Sequence, residues 1–310
     1  MSYYNLGAFW QGEAPDPGVR AIFATVGGDE YSPTNRIDYI DMGTMSNSSD
    51  FGDLVVSYSN RLACSSSTRG LYAGGLTNDG SITFYNNIDY ITIASTGNAT
   101  DFGDLTAARA NGSGLSSATR GIFGPASGGS SVIDYVTIAS TGNATDFGDP
   151  TVNRSTPGAC SSPTRGLMGG GSGVSNVIDY ITIASIGNAT DFGDLTVARR
   201  HLTGTSSGTR GLFAGGRNSS NAKVNVIDYV TIASTGNATD FGNLTIAREF
   251  LGGTSDSITA LFAGGRNSSF SDVNTIDYVT IASTGNAVDW GDLTSTAYGP
   301  AGCSSGHGGL

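Results

Sequence analysis

Carboxylates are the most numerous ionisable side chains of this chain, with 26 Asp and Glu. One Asp follows Ile in each of six Ile-Asp-Tyr triplets, and further Asp begin and mostly end six Asp-Phe/Trp-Gly-Asp/Asn tetrads. Pairs such as Asp101 and Asp104 could bind calcium, or could cap turns and bond to Arg. Because the pairs recur at regular intervals, structural use is favoured and no metal is predicted. A glycosidase needs carboxylates gathered in one cleft, whereas these are spread evenly.

The other reactive side chains also fall short of a catalytic set. His201 and His307 are the only histidines, too few for a clustered metal site, and no Gly-x-Ser-x-Gly elbow occurs. The Arg of each repeated Thr-Arg-Gly could form an anion-binding ring of the sialidase kind. Their regular placement favours ion pairs between repeats instead; they are Arg69, Arg120, Arg165 and Arg210. We therefore predict no catalytic residue and no cofactor.

The cysteines and the Asn-Ala-Thr triplets could each be chemically reactive or modified, or could serve only the fold. Cys64, Cys160 and Cys303 occupy one slot in three different repeats, and such slots are usually too far apart to bridge. Three free, buried thiols are expected. The Asn-Ala-Thr triplets match a glycosylation pattern, but they coincide with a tight turn that favours Gly-Asn, so turn formation explains them.

These side chains are carried by a repeat. The Ile of the triplet falls at Ile37, Ile88, Ile133, Ile178, Ile227 and Ile276, in steps of 51, 45, 45, 49 and 49 residues. A period of this length predicts a propeller, solenoid or array. Each unit contains four strand-like runs separated by glycine, which in the fifth unit are 202–207, 211–214, 226–233 and 238–244. No sustained 3.6-residue period occurs, so almost no helix is expected.

The two ends of the chain complement each other. The last unit supplies a first strand with no second, and residues 20–23 begin at a second strand. We predict an all-β, six-bladed propeller over 20–310, with blade 1 formed by 20–55 and about 299–305, and small first-strand residues lining a narrow axial channel. Residues 1–19 form an arm outside the repeats. Its aromatic residues Tyr3, Tyr4, Phe9 and Trp10 are expected to anchor the propeller to another protein.

Charge and hydropathy exclude several classes of partner. The net charge is −11, with 15 Lys and Arg and no basic run, so nucleic acid is not expected as a partner. No apolar segment is long enough to span a bilayer, and the N-terminus lacks the pattern of a signal peptide.

After residue 19 the chain resembles the kelch-repeat family. The resemblance rests on a double glycine after the second strand (Gly74-Gly75, Gly170-Gly171, Gly215-Gly216 and Gly264-Gly265), a Tyr followed twelve residues later by an aromatic residue, and a closing Arg (Arg109, Arg154, Arg199 and Arg248). Pro125-Ala126, Tyr58 and Ala297 depart from the pattern. The nearly identical sequence of the repeats also looks like that of kelch-like proteins of tailed bacteriophages. This second likeness implies a virion-associated structural or adhesive protein, attached to other virion proteins through its arm.

Loop length selects the face expected to bind. The loops between strands 2 and 3 vary between 6 and 12 residues, and they should share a face with the connections between strands 4 and 1. Unconstrained drift is the alternative. The candidate binding residues are Asp29, Glu30 and Tyr31 in blade 1, Asn78, Asp79, Phe84 and Tyr85 in blade 2, Arg217, Asn218 and Lys223 in blade 5, and Arg266, Asn267 and Phe270 in blade 6.

Two functions follow from these expectations. The first is a non-enzymatic component of a phage tail, fibre, neck or capsid decoration that binds a protein or a host-surface glycan. The alternative is a carbohydrate-active enzyme of sialidase-like or lyase-like type.

Overall fold

The computed structural model of the protein describes residues 18–25, 27, 33–128 and 132–306. They form six four-stranded antiparallel sheets, and no helix occurs among them. The first strand of each sheet contacts the first strands of its two neighbours, so the sheets close into a ring around an axis. The predicted six-bladed propeller is confirmed.

The blades are given in order of their strands from the axis outward. Blade 1 contains β30 (Ala301–Ser304), β1 (Arg20–Ala24), β2 (Arg36–Asp41) and β3 (Ser49–Asp53); blade 2 contains β4 (Leu62–Ser65), β5 (Arg69–Ala73), β8 (Asn87–Thr92) and β9 (Thr100–Asp104); blade 3 contains β10 (Gly114–Ser116), β11 (Arg120–Phe123), β12 (Ile133–Thr137) and β13 (Thr145–Gly148). Blade 4 contains β14 (Gly158–Ser161), β15 (Arg165–Gly169), β16 (Val177–Thr182) and β17 (Thr190–Asp194); blade 5 contains β19 (Thr203–Ser206), β20 (Arg210–Ala214), β22 (Val226–Thr231) and β23 (Thr239–Asn243); blade 6 contains β25 (Gly252–Ser255), β26 (Thr259–Ala263), β28 (Thr275–Thr280) and β29 (Val288–Asp292).

Three short two-stranded ribbons lie outside the blade sheets. They are β6 (Leu76–Asn78) with β7 (Ile82–Phe84), β18 (Arg199–Arg200) with β21 (Arg217–Asn218), and β24 (Arg248–Glu249) with β27 (Arg266–Asn267).

Both ends of the propeller meet in blade 1. Strand β30 pairs with β1 in antiparallel register, with Ala21 opposite Ser304 and Ala24 opposite Ala301. A sheet that closes on itself leaves no unpaired strand between the first and last repeats. The predicted closure is therefore confirmed.

A ring of serines joins the first strands at the axis. Ser65, Ser116, Ser161, Ser206, Ser255 and Ser304 occupy the same position in six blades and are buried. Each hydroxyl donates to the backbone carbonyl of the serine in the preceding blade, so that the six bonds form a closed circle. This serine ring satisfies buried polar groups at the centre of the fold.

In blades 2 to 6 a buried ion pair links the blade to the connection that leads into it. Arg109, for example, places Nη1 2.9 Å from Oδ2 of Asp134, and both side chains are fully buried. The Asp of every Ile-Asp-Tyr triplet forms an ion pair, but in blade 1 the partner, Arg36, is a partly exposed residue of the same strand. The pairs are Arg36 with Asp38, Arg61 with Asp89, Arg109 with Asp134, Arg154 with Asp179, Arg199 with Asp228, and Arg248 with Asp277. In blade 2, Tyr58 stands in place of the closing Arg of other repeats, and Arg61 supplies the guanidinium instead.

Tight turns between strands 3 and 4 also join neighbouring blades. The amide oxygen of Asn143 accepts the backbone N–H of Asp104 at 3.1 Å, and Gly142 donates to the carbonyl of Phe102. Gly103 has a φ of +146°, and a Cβ there would lie 2.5 Å from the Gly142 carbonyl oxygen. The repeated Gly-Asn and the glycine of each tetrad are therefore parts of one inter-blade joint, which extends the turn interpretation.

The repeated Thr-Arg-Gly arginines bridge blades, but not through the predicted ion pairs. Arg69 donates to the carbonyl of Ile138 in the next blade at 3.0 Å, while its guanidinium lies 4.7 Å from the centre of the Tyr90 ring. Arg120, Arg165 and Arg210 make the equivalent contacts. The expectation of ion pairs was wrong, because a neighbouring backbone carbonyl and an aromatic face satisfy each guanidinium.

The cysteines are free and buried, as predicted. Each sulfur fills the space left by a glycine in the next blade; a Cβ at Gly121 would lie 2.8 Å from Sγ of Cys64. Burial raises the pKa of Cys303 to about 12 and that of Cys64 and Cys160 still further. These thiols pack blades together and do not form reactive thiolates at neutral pH.

Candidate binding face at the axial mouth

One face of the propeller carries both kinds of connection that were expected to share it. In blade 5, β18 of the incoming connection pairs with β21 of the loop between strands 2 and 3, and β24 pairs with β27 in blade 6. Isolated bridges join Ser59 to Leu76 and Ala110 to Ser127 in blades 2 and 3. In these four blades the connections and the variable loops therefore lie together on one face.

Six residues of these connections encircle the axis at this face, and we call them the mouth ring. All six have positive φ, between 54° and 64°; they are Asn60, Asn111, Thr156, His201, Phe250 and Gly299. The backbone N–H of each of the last five donates to the carbonyl of the preceding member. Asn and Gly adopt this conformation readily, but Thr and Phe rarely do, and such strain concentrates at functional sites.

The mouth ring surrounds a cavity of about 110 Å³. Its floor is made by the starts of the first strands, including Gly114, Ala159, Gly204 and Gly253. Below it, along the axis, lies a second cavity of about 40 Å³ that is lined mostly by small residues of the first strands, as predicted. The upper cavity is smaller than the pockets that hold drug-sized ligands, so it can accept one small group.

Blades 5 and 6 contribute an aromatic stack to the mouth. The His201 ring lies 3.9 Å from that of Phe250, which lies 4.5 Å from the Tyr298 ring. The Arg266 guanidinium covers Tyr298 at 4.3 Å. The stack holds His201 in a fixed orientation at the rim of the cavity.

Glu249 fixes the position of His201 in this stack. It is 1% exposed, and its carboxylate contacts Nδ1 of His201 at 2.7 Å, the Arg217 guanidinium, and Nζ of Lys223 at 3.5 Å. Burial acts to raise the pKa of Glu249, but the hydrogen bonds and charges of His201 and Arg217 outweigh it and lower that pKa. Glu249 is therefore ionised at neutral pH.

His201 is neutral in the same environment. Burial lowers its pKa, and the neighbouring Arg200 and Arg217 act in the same direction, against the opposing effect of Glu249. A neutral imidazole beside an ionised carboxylate donates from Nδ1, so Nε2 is left as a hydrogen-bond acceptor.

The structure gathers the predicted residues of blades 5 and 6 into one group. Arg217 and Lys223 contact Glu249, Nζ of Lys223 lies 3.8 Å from the Phe270 ring centre and donates to the Asn267 carbonyl, and Arg266 pairs with Asp272. The amide oxygens of Asn218 and Asn267 cap their own loops, so these side chains have structural work.

The predicted residues of blade 2 lie apart from that group. Asn78 and Phe84 belong to the β6–β7 ribbon, Asp79 is exposed at its turn, and Tyr85 stacks on Tyr58 at 3.9 Å. Blades 2 and 5 are opposite each other in a six-bladed ring, so the structure does not unite the two sets. Asp29, Glu30 and Tyr31, like Tyr3, Tyr4, Phe9 and Trp10, lie outside the described residues.

The sequence interpretation missed the mouth ring. Its members stand in equivalent positions of repeats that are otherwise nearly identical, yet they comprise five residue types. That divergence was the available signal. It was overlooked because the connections between strands 4 and 1 vary in residue type and hardly at all in length.

Neither a metal centre nor a membrane span is found in the described part of the chain. No three His, Cys, Asp or Glu side chains there are grouped as metal ligands would be. No helix long and apolar enough to cross a membrane occurs in the same ranges.

The fold and the mouth define a six-bladed β-propeller with one asymmetric face. A scan against protein-family models finds no match. A search of curated proteins likewise finds none. Its function must therefore be argued from its own residues.

Proposed function

We propose that this propeller is a non-enzymatic binding module of a tailed-phage virion, which presents the mouth face to a host-surface glycan or protein. The observation that carries the proposal is the distribution of differences among the repeats. The inter-blade joints, ion pairs and serine ring are repeated around the axis, whereas the mouth ring and the loops beside it differ from blade to blade. Variable side chains on a rigid scaffold are typical of recognition surfaces.

The virion assignment rests on the kelch-like repeat and its phage-like wording. Under this proposal the arm of residues 1–19 attaches the propeller to a tail, fibre, neck or capsid component, and the mouth face points outward. The chain then works in the virion, without nucleic acid, cofactor or membrane insertion.

Catalysis is disfavoured by the chemistry of the mouth. A glycosidase acid needs a carboxyl group with a raised pKa, paired with a second carboxylate. Glu249, the carboxylate behind the aromatic stack, has a lowered pKa and is engaged by cations. It is therefore a poor proton donor, and its contacts position His201 instead.

Two measurements test this function. Mass spectrometry of purified virions should detect the chain. Deletion of residues 1–17, which spares Val19 and its packing on the blade 1 core, should abolish incorporation while leaving thermal unfolding unchanged. Purified propeller should adhere to host cells, and variants of the mouth ring should adhere less. Absence from virions, or turnover of a glycan that is lost on substitution of one carboxylate, would overturn the proposal.

A further inference from the structure

We infer that the cavity inside the mouth ring binds a single neutral hexose, the terminal sugar of a glycan. This inference deepens the proposed function, on which it rests, by naming the class of ligand. It follows from the rim of the cavity, which combines polar groups without partners among the described residues, an aromatic wall and no available charge; the cavity of about 110 Å³ itself takes only part of the sugar ring.

The first observation is an unpaired amide in a nearly closed position. Asn60 is 8% exposed and lines the cavity, yet its side-chain amide makes no hydrogen bond with any residue that the structure describes. Asn111, one blade away, also lines the cavity without a side-chain partner in those ranges. Asn111 is half-buried, and a ligand that pairs with both amides would add hydrogen bonds that the described residues do not supply.

The second observation is that two further members of the mouth ring, Thr156 and His201, can accept hydrogen bonds. Nε2 of the neutral His201 ring is free to accept, because Nδ1 is engaged by Glu249. The Thr156 hydroxyl donates to the Ser155 carbonyl, which leaves its oxygen to accept another bond. Sugar hydroxyls both donate and accept, so they match both the amides and these acceptors.

The third observation concerns shape and apolar contact. His201 and Phe250 form the aromatic side of the cavity. Phe250 is stacked between His201 and Tyr298, so its ring edge and the His201 ring are the apolar surfaces left for the C–H groups of a sugar. Gly299 has no side chain, and the amide oxygen of Asn60 lies beside it, only 2.6 Å from where a Cβ would stand, so the Asn60 amide reaches across to blade 1.

The fourth observation selects a neutral sugar over an acidic one. Of the described residues that line the cavity, Arg61 alone carries a permanent charge. Its guanidinium is buried and is engaged by the Asp89 carboxylate at 2.6 Å and the Tyr72 carbonyl at 2.8 Å. A sugar carboxylate would enter without a charged partner, and this costs more than it returns.

The test titrates the full chain with methyl hexosides while NMR follows the side-chain amide signals of Asn60 and Asn111. At least one methyl glucoside, galactoside or mannoside should bind with a Kd of about 1 mM, as expected for so small a ligand. The methyl glycoside of N-acetylneuraminic acid should bind at least tenfold more weakly. Equal binding of the acidic sugar would overturn the inference, and so would no binding of any neutral hexoside.

Asn60→Gly and Asn111→Gly provide variants that keep the backbone conformation, because glycine already occupies the equivalent position at Gly299. Each should weaken hexoside binding about fivefold. Asn221→Gly is the matched control, since Asn221 has the same positive φ in an outer loop of blade 5. Unchanged binding in both mouth variants would remove this cavity as the site.

Failure of this inference can be told apart from failure of the proposed function. A propeller that adheres to host cells but binds no hexoside keeps its proposed function and loses the sugar site. A propeller that binds a hexoside but is absent from virions keeps the sugar site and loses the proposed virion function. A protein ligand that occupies the mouth and is not displaced by any hexoside would also overturn the sugar assignment.

Discussion

Two rings of equivalent residues encircle the axis, five positions apart along each connection and first strand. The serine ring has the same residue in six blades and closes a circle of hydrogen bonds. The mouth ring has five residue types, strained backbone and two amides without partners in the described ranges. The serine ring needs the same residue in every blade, because its circle of hydrogen bonds is otherwise broken. The side chains of the mouth ring, all in the part of the chain that the structure describes, do not bond to one another, so they can differ between blades and can recognise an asymmetric ligand.

The largest expected effect lies in the repeated framework. Asp134→Ala removes the partner of the fully buried Arg109 and leaves that charge uncompensated. The free energy of unfolding should fall by about 3–5 kcal/mol, measured by chemical denaturation. Asp146→Ala, at an exposed position of the same blade, should change it by less than about 0.5 kcal/mol. Similar losses for both variants would contradict the structural role of the pair.

A direct comparison of the two rings comes next. Ser116→Ala removes a donor from the Ser65 carbonyl and an acceptor from the Ser65 N–H, so it should cost about 1–3 kcal/mol. Asn111→Gly, five residues earlier, should cost less than about 1 kcal/mol, because its amide stabilises nothing in the described fold. Chemical denaturation of the two variants measures both losses of unfolding free energy. Equal losses would show that the two rings contribute equally to stability, against this prediction.

Acid should act on the mouth through His201. Its pKa is lowered in the folded state, so below the unfolded value of about 6.5 the unfolded chain binds more protons and stability falls as pH falls. The melting temperature should drop between pH 7 and pH 5, and hexoside binding should weaken as Nε2 gains a proton. His201→Phe should flatten this dependence, since Phe250 already occupies an equivalent position.

His307→Phe, which changes the other histidine, is the control for that experiment. It should retain the dependence of the protein with His201 intact. Parallel pH profiles for His201→Phe and the unsubstituted chain would show that the titration lies elsewhere.

The smallest expected effect is the reactivity of the layer between the rings. Cys64, Cys160 and Cys303 lie one residue before the serine ring, are buried and have raised pKa values. A thiol-specific reagent should label none of them in the native protein and all three in denaturant. Rapid labelling of the native chain would mean that the channel is open to solvent below the mouth.

The sequence predicted the blades, their closure and the shared face, because hydrophobic alternation, glycine positions and complementary ends depend on local chemistry that is visible in the repeat. It predicted less well where a side chain acts across blades. Arg61 replaces a missing Arg from three residues away, and Arg69 reaches a carbonyl 69 residues along the chain. Such partners follow from three-dimensional stacking, which spacing along the chain does not reveal.

The candidate site was predicted in part for the same reason. Loop length pointed to Arg217, Lys223, Arg266 and Phe270, which the structure brings together, and to blade 2 residues, which it leaves apart. The mouth ring escaped notice because Glu249, Phe250 and His201 become neighbours only when two successive connections meet at the axis.

The position of β1 determines how the propeller resists mechanical tension. Strand β1 lies second from the axis in blade 1, held on one side by β2 and on the other by β30. Force applied at its N-terminal end must shear two hydrogen-bonded ladders together, whereas an edge strand would be peeled away one bond at a time. A propeller tethered at this point would carry load through the middle strands of blade 1.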